Sequence, residues 1–194
     1  QVEAFGYRSI GIVVAAGMAV GGIVAVHAAG YVAKYSAGDL AGWAVGYAVL
    51  REVGPLLTGL LLAGRVGAMN AAELADMSVR GQLRALEATG LDPLSIVIAP
   101  RVYAAMLSGL ALFSVAAVTA LLTAVLGVTG ATGLKLMPFL YALHDGVELS
   151  YLFVGLFKAV VFSVIVASLS TFEGLQARGG SDAVGRVVNN AAVA

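Results

Sequence analysis

VYAAMLSGLALFSVAAVTALLTAVLGVTGATGL, Val102 to Leu134, passes 33 residues without a formal charge. A helix needs about 20 consecutive apolar residues to cross a hydrocarbon core. The stretch therefore predicts a transmembrane helix followed by a turn rich in Gly127, Gly130 and Gly133. Working outward, Ser9 to Ala33 is a second charge-free run, and Leu40 to Leu62 is interrupted only by Arg51 and Glu52. Leu149 to Phe172 contains a single charge, Lys158. A further apolar stretch starts near Val187 and stops at Ala194, which reads as the start of a fifth span in a truncated chain. The composition agrees: 60% apolar and 11% charged residues, against roughly 45–50% and 25% in soluble domains. The expected fold class is an all-α integral membrane protein with about four transmembrane helices and the start of a fifth, forming one domain over 1–194.

Arg and Lys in short loops set orientation, the richer side being cytoplasmic. Arg65, Arg80, Arg84 and Arg101 lie between spans two and three, Arg178 and Arg186 after span four, and Arg8 before span one. The opposite loops hold only Lys34 and Lys135. The segment 65–101 is thus expected in the cytoplasm. A signal peptide is the competing reading of the first thirty residues. It is disfavoured because the apolar run is too long and the chain opens at Gln1 rather than Met. The formal net charge of zero offers no basic surface to nucleic acid, and the absence of cysteine excludes disulfides and thiolate chemistry.

Three features can carry function. Gly17-Met-Ala-Val-Gly21 and Gly42-Trp-Ala-Val-Gly46 are GxxxG patterns that let helix backbones approach in lipid, as internal packing rather than as a dimer face. Arg51, Glu52 and Lys158 sit inside spans, where an ionised side chain costs at least ~2.5–3.5 kcal/mol. Counting from the span entries, Glu52 is about 12 and Lys158 about 10 residues deep, the same depth within a few ångströms at ~1.5 Å rise per residue. They are expected to neutralise each other or to line a polar cavity. Pro55 removes a helical hydrogen bond beside them and is expected to kink the span. Third, Glu73, Asp76, Arg80, Arg84 and Glu87 form one charged stripe on an expected helix 71–88. Ala72, Ala75, Val79, Leu83 and Leu86 run beside it. The stripe is either a solvated surface helix or a docking helix for a soluble partner. Gly81 weakens this helix by ~1 kcal/mol relative to alanine.

Enzyme signatures are absent: the sequence has no GxxxxGK[ST], HExxH or GxSxG motif. His27 and His144 are far apart and read as interfacial or solvated groups rather than metal ligands. No catalytic residue, metal site or cofactor is expected in this chain.

Glu52-Val-Gly-Pro55, Ala63-Gly-Arg-Val-Gly67, Ala72-Glu-Leu74 and Gln82-Leu-Arg-Ala-Leu-Glu87 together resemble the signature run of the MlaE/YrbE permeases. Asp92-Pro93, Pro100-Arg101, Lys158-Ala-Val-Val-Phe162, Gly174, Gly179-Gly180 and Gly185-Arg186 continue the likeness over nearly the whole chain. The resemblance implies the permease subunit of an ABC lipid transporter in a bacterial inner membrane. Its partners would be a second permease copy, a cytoplasmic ABC ATPase and an MCE-domain protein, and its substrate a phospholipid or related lipid. It implies five spans preceded by an interfacial helix, with 71–88 as the coupling helix that docks the ATPase. Arg51, Glu52, Pro55 and Lys158 become candidates for the lipid path. One departure concerns the coupling helix: this chain has Arg80-Gly81-Gln82 where the family usually has Thr-Glu-Gln. That change bears on the exact ATPase contacts and not on where docking occurs.

Two other functions fit the residues without the resemblance. Glu52 and Lys158 would serve a gradient-driven channel or secondary transporter as an ion or proton relay. A membrane scaffold would use helix 71–88 only to recruit a partner.

Overall fold

The apolar stretches fold as helices because backbone N–H and C=O groups in hydrocarbon must pair within their own segment. The computed structural model describes residues 10–35, 38–177 and 185, with Asp39 described in its backbone alone. Arg8, Arg178, Gly179, Gly180, Arg186 and the apolar stretch from Val187 lie outside the described residues. Among the described residues there are helices and no strands. In chain order the helices are α1 (Ile10–Tyr35), α2 (Gly38–Tyr47), α3 (Gly54–Leu61), α4 (Ala68–Val79), α5 (Gln82–Ala88), α6 (Ala99–Thr132), α7 (Leu136–Gly146) and α8 (Leu149–Leu175). Wider π-helical turns at Ala48–Val53 and Leu62–Gly67 join α2, α3 and α4, and another at Leu94–Ile98 leads into α6.

Four helical runs are long and apolar enough to cross a membrane: Ile10–Tyr35, Leu40–Val79, Leu94–Thr132 and Leu149–Leu175. They match the four expected spans, with three differences. The second run continues to Val79 instead of ending at Leu62, because the π turn at Leu62–Gly67 carries the helix past Arg65 without a break. The third begins eight residues before Val102, at Leu94, where Asp92 caps the backbone N–H groups of Leu94 and Ser95. Its end falls at Gly133, whose φ of +68° stops the helix, while Gly127 and Gly130 remain helical. The loop expected between spans three and four, which holds Lys135, contains the helix α7, held by the buried ring of Phe139.

The expected helix 71–88 is not continuous. It stops at Val79, bends through Arg80 and Gly81, and restarts as α5. Gly81 has a φ of +69°, a left-handed conformation that costs other L-residues about 1–2 kcal/mol. Its N–H closes the turn on the Ser78 carbonyl at 3.1 Å. No residue of α5 is buried, so packing does not hold the glycine in a helix.

The chain forms two compact units. The first unit comprises residues 10–58 and Leu110–Ala159. Its interior is built from small residues (Ala25, Ala28, Ala124) around Val45, Val128 and Phe139. Gly17 and Gly21 of α1 lie against Ala116, Thr119 and Ala120 of α6, and Gly42 against α7. Both GxxxG patterns thus serve packing within the chain, as expected. Large apolar side chains face outward instead: Val26, Leu126 and Phe157 are 73%, 68% and 69% exposed. Such a surface is stable against acyl chains and not against water.

The second unit comprises Gly59–Gly109 and, from residue 160, the rest of α8. Leu62, Leu74, Ala71 and Ala75 are buried in it. Gly174 of α8 permits near backbone contact with α4: a Cβ there would stand 2.7 Å from that of Leu74 and 3.0 Å from the Ala71 carbonyl oxygen.

Candidate functional site

In the first unit the helix widens to a π turn at Ala48–Val53, and the Gly54 N–H reaches back to the Val49 carbonyl. Such turns occur often where a chain has a task other than packing. Pro55 follows, fully buried. Proline has no N–H, so the Arg51 carbonyl lacks the donor that a regular helix would place four residues later. Lys158 of α8 supplies one. Its Nζ donates to the Arg51 carbonyl oxygen at 2.8 Å and to Glu52 Oε2 at 2.9 Å. Gly155, one turn earlier on the same face of α8, makes this approach possible. A Cβ there would collide with the Leu50 carbonyl oxygen and stand 2.8 Å from Phe113 Cζ. Where a kink was expected at Pro55, the structure has a π turn just before it and a donor from another helix.

Arg51 completes the cluster. Its Nε lies 3.7 Å from Glu52 Oε1, and its guanidinium carbon lies 5.2 Å from the Tyr47 ring centre and 5.6 Å from that of Tyr151. The two tyrosines meet edge to face at 5.3 Å. Trp43 packs on Tyr47 at 5.6 Å and directs its indole N–H to the Tyr151 hydroxyl at 3.4 Å. Trp43, Tyr47 and Arg51 follow at i, i+4 and i+8, so a single helix face carries them. Tyr151, Gly155 and Lys158 follow at i, i+4 and i+7 on α8, again along one face. Sequence reasoning found the charges and missed the aromatic residues. Their four-residue spacing toward Arg51 was the available signal.

The side chains of Arg51, Glu52 and Lys158 keep 39%, 44% and 34% of their surface exposed. An apolar groove of about 360 Å³ lies between α1 and α2, lined by Ile23, Val24, His27, Val45 and Val53 among others, but not by the three charged residues. Trp43 also lines an open pocket of about 440 Å³ with Leu40 and Asp145.

In the second unit the stripe foreseen for partner docking is divided. Glu73 turns to Arg101, whose Nη1 donates to Glu73 Oε2 at 2.8 Å and to Asn70 Oδ1 at 3.1 Å. Asn70 in turn donates to the Ser170 and Thr171 hydroxyls at 2.8 and 3.1 Å. Arg101 is buried, with 7% of its side chain exposed. It had been read only as a loop charge and a motif residue. Asp76 and Arg80 pair at 2.8 Å on the exposed surface. Arg84 and Glu87 lie beyond the Gly81 bend, both exposed.

These features can be set beside known proteins. A family model described as Permease MlaE matches residues 1–194. A probable ABC transporter permease protein of Rickettsia typhi is 31% identical over 193 residues, covering all of this chain and 74% of that protein. A probable ABC transporter permease protein of Synechocystis is 32% identical over 207 residues, covering all of this chain and 73% of the relative. The intermembrane phospholipid transport system permease protein MlaE of Haemophilus influenzae is 29% identical over 201 residues, again across the whole chain and 74% of its own length. With a family match from end to end and four apolar runs, this multi-pass membrane protein belongs to the MlaE permease family.

Proposed function

We propose that the chain works as a single permease domain of an ABC transporter that moves phospholipid, with Arg51, Glu52 and Lys158 receiving the headgroup. The name of the Haemophilus relative supports phospholipid as cargo. In this reading the segment 65–101 faces the cytoplasm of a bacterial inner membrane. A separate ATPase subunit docks on α4 and α5, and an MCE-domain protein exchanges lipid with the permease at the other face. A second permease copy pairs with the first.

One observation carries the reading. Three charged side chains sit within apolar runs, and each remains between a third and a half exposed. Acyl chains cannot solvate them, so a polar partner must complete the site, and a headgroup held between two permease copies does so.

The test is phospholipid transfer by the permease reconstituted with its ATPase, in Glu52→Gln, Lys158→Met and the double variant. The expected result is ATP-dependent transfer that each single change abolishes and the double change partly restores, because each single change strands a charge. Transfer driven by an ion gradient without the ATPase would favour the channel reading. Normal transfer in all three variants would move the lipid path elsewhere.

A further inference from the structure

The aromatic residues beside the charged cluster are not needed to neutralise it. Arg51 already has Glu52 within 3.7 Å, yet its guanidinium lies over two tyrosine rings, with Trp43 bracing the second through its hydroxyl. Two ring faces converging on one cation form the kind of cage that takes alkylammonium groups. Here an internal cation fills it.

We infer that Tyr47, Tyr151 and Trp43 form a subsite for the ammonium group of a zwitterionic phospholipid, and that Arg51 holds the place until the lipid arrives. The inference rests on reading this cluster as the lipid path. Its argument is an exchange of partners. A phosphate entering the cluster attracts Arg51 and Lys158, the two cations present. When they turn to it, Glu52 loses both ionic partners and the tyrosine rings lose their cation. A phosphatidylglycerol headgroup brings the same phosphate without a cation, so the Glu52 carboxylate and the ring faces are left uncompensated. A choline or ethanolamine headgroup brings a cation on the same molecule, a few bonds from the phosphate. That cation takes the ring faces and the carboxylate as Arg51 leaves them, so every internal interaction is replaced. The carbonyl of Arg51 limits the movement of Lys158, which donates to it at 2.8 Å where Pro55 has no N–H to offer. Arg51 is free of that restraint, which makes it the mobile member.

Aromatic residues near a span end also serve as an interfacial belt. A belt requires only that the rings sit at headgroup level, and it makes no distinction among headgroups. The subsite does.

Trp43 is the one tryptophan among these 194 residues, so in a permease whose remaining segments are kept free of tryptophan its fluorescence reports on the cage directly. The full-length permease in detergent is titrated with dihexanoyl phosphatidylcholine, phosphatidylethanolamine and phosphatidylglycerol. Soluble glycerophosphocholine is titrated alongside, to separate a lipid site from one that takes the free headgroup. Saturable binding of the choline and ethanolamine lipids is expected, between about 3-fold and 30-fold tighter than the glycerol lipid. Glycerophosphocholine should bind far more weakly than either. Tyr151→Leu should bring the three lipids within about 2-fold of each other without weakening the glycerol lipid, whereas Tyr151→Phe should keep the preference because the ring face remains. Equal affinities in the unaltered protein, or a preference that survives Tyr47→Leu combined with Tyr151→Leu, would overturn the subsite. Glycerophosphocholine binding as tightly as the lipids would overturn the lipid assignment of the cage. No saturable response to any lipid would instead strike the underlying lipid-path reading.

Discussion

Lys158 Nζ lies 2.8 Å from the carbonyl oxygen of Arg51, the acceptor that Pro55 deprives of its helical donor. A proline inside a helix costs about 3 kcal/mol, partly through that unmatched carbonyl. Here a lysine more than 100 residues away in sequence satisfies it, and the same ammonium neutralises Glu52. The proline, the π turn before it and the lysine form one arrangement: the first two present the Arg51 carbonyl and a carboxylate side by side, and the third bridges them.

If so, Pro55 and Lys158 are energetically linked. Pro55→Ala restores an N–H that competes for the Arg51 carbonyl, so Lys158→Met should cost about 1 kcal/mol less in the Pro55→Ala background than in the unaltered protein. Pro55→Ala alone should leave the fold intact and reduce lipid transfer, because a regular helix turns Glu52 from its partner. Denaturation of the four proteins in detergent measures the linkage. Equal costs of Lys158→Met in both backgrounds would show that the carbonyl bond contributes nothing.

Much of this was legible in the sequence because helix rise is constant. Counting residues from two span entries placed Glu52 and Lys158 at one depth, and they meet at 2.9 Å. The same counting could not reveal the π turn, since a helix that shifts from i+4 to i+5 leaves no fixed residue signature. Nor could it reveal Asn70 bonding to Ser170, which depends on which faces of distant helices oppose each other. Arg101 was misjudged for a related reason. A charge beside a proline at a span end resembles a loop charge until a carboxylate and an amide are found to enclose it. At Gly81 the sequence signal was present but underweighted: a glycine cost of ~1 kcal/mol decides the outcome where the following turns bury nothing.

The two arginine–carboxylate pairs of the second unit should differ sharply in worth. Arg101 is 7% exposed and serves Glu73 and Asn70 together, so Arg101→Leu should cost about 2–4 kcal/mol, tempered by the partial exposure of Glu73. Arg80 and Asp76 are 66% and 49% exposed, and Arg80→Ala should cost no more than about 0.5 kcal/mol. Thermal unfolding of both variants in the same detergent checks the contrast. Comparable losses would mean that the Asn70–Arg101 network does not hold α4 and α8 together.

The bend at Gly81 bears on docking. It separates Arg84 and Glu87, on a short helix with nothing buried, from Asp76 and Arg80 on α4. A partner approaching this surface would meet two short charged segments at an angle set by the left-handed Gly81. Arg84→Glu should therefore weaken co-purification of the ATPase by about 1–3 kcal/mol if Arg84 meets a buried carboxylate there, while leaving the permease as stable as before. Gly81→Ala should weaken docking as well, through the cost of a left-handed alanine or a straightened helix. Asparagine tolerates that conformation better than alanine, so Gly81→Asn should retain most of the binding. The pattern expected is loss with Arg84→Glu and Gly81→Ala and retention with Gly81→Asn, measured by pull-down of the ATPase and by its stimulated ATP turnover. Equal binding by all three would place the docking surface away from α5. Loss with Arg84→Glu alone would mean that the charge matters and the bend does not.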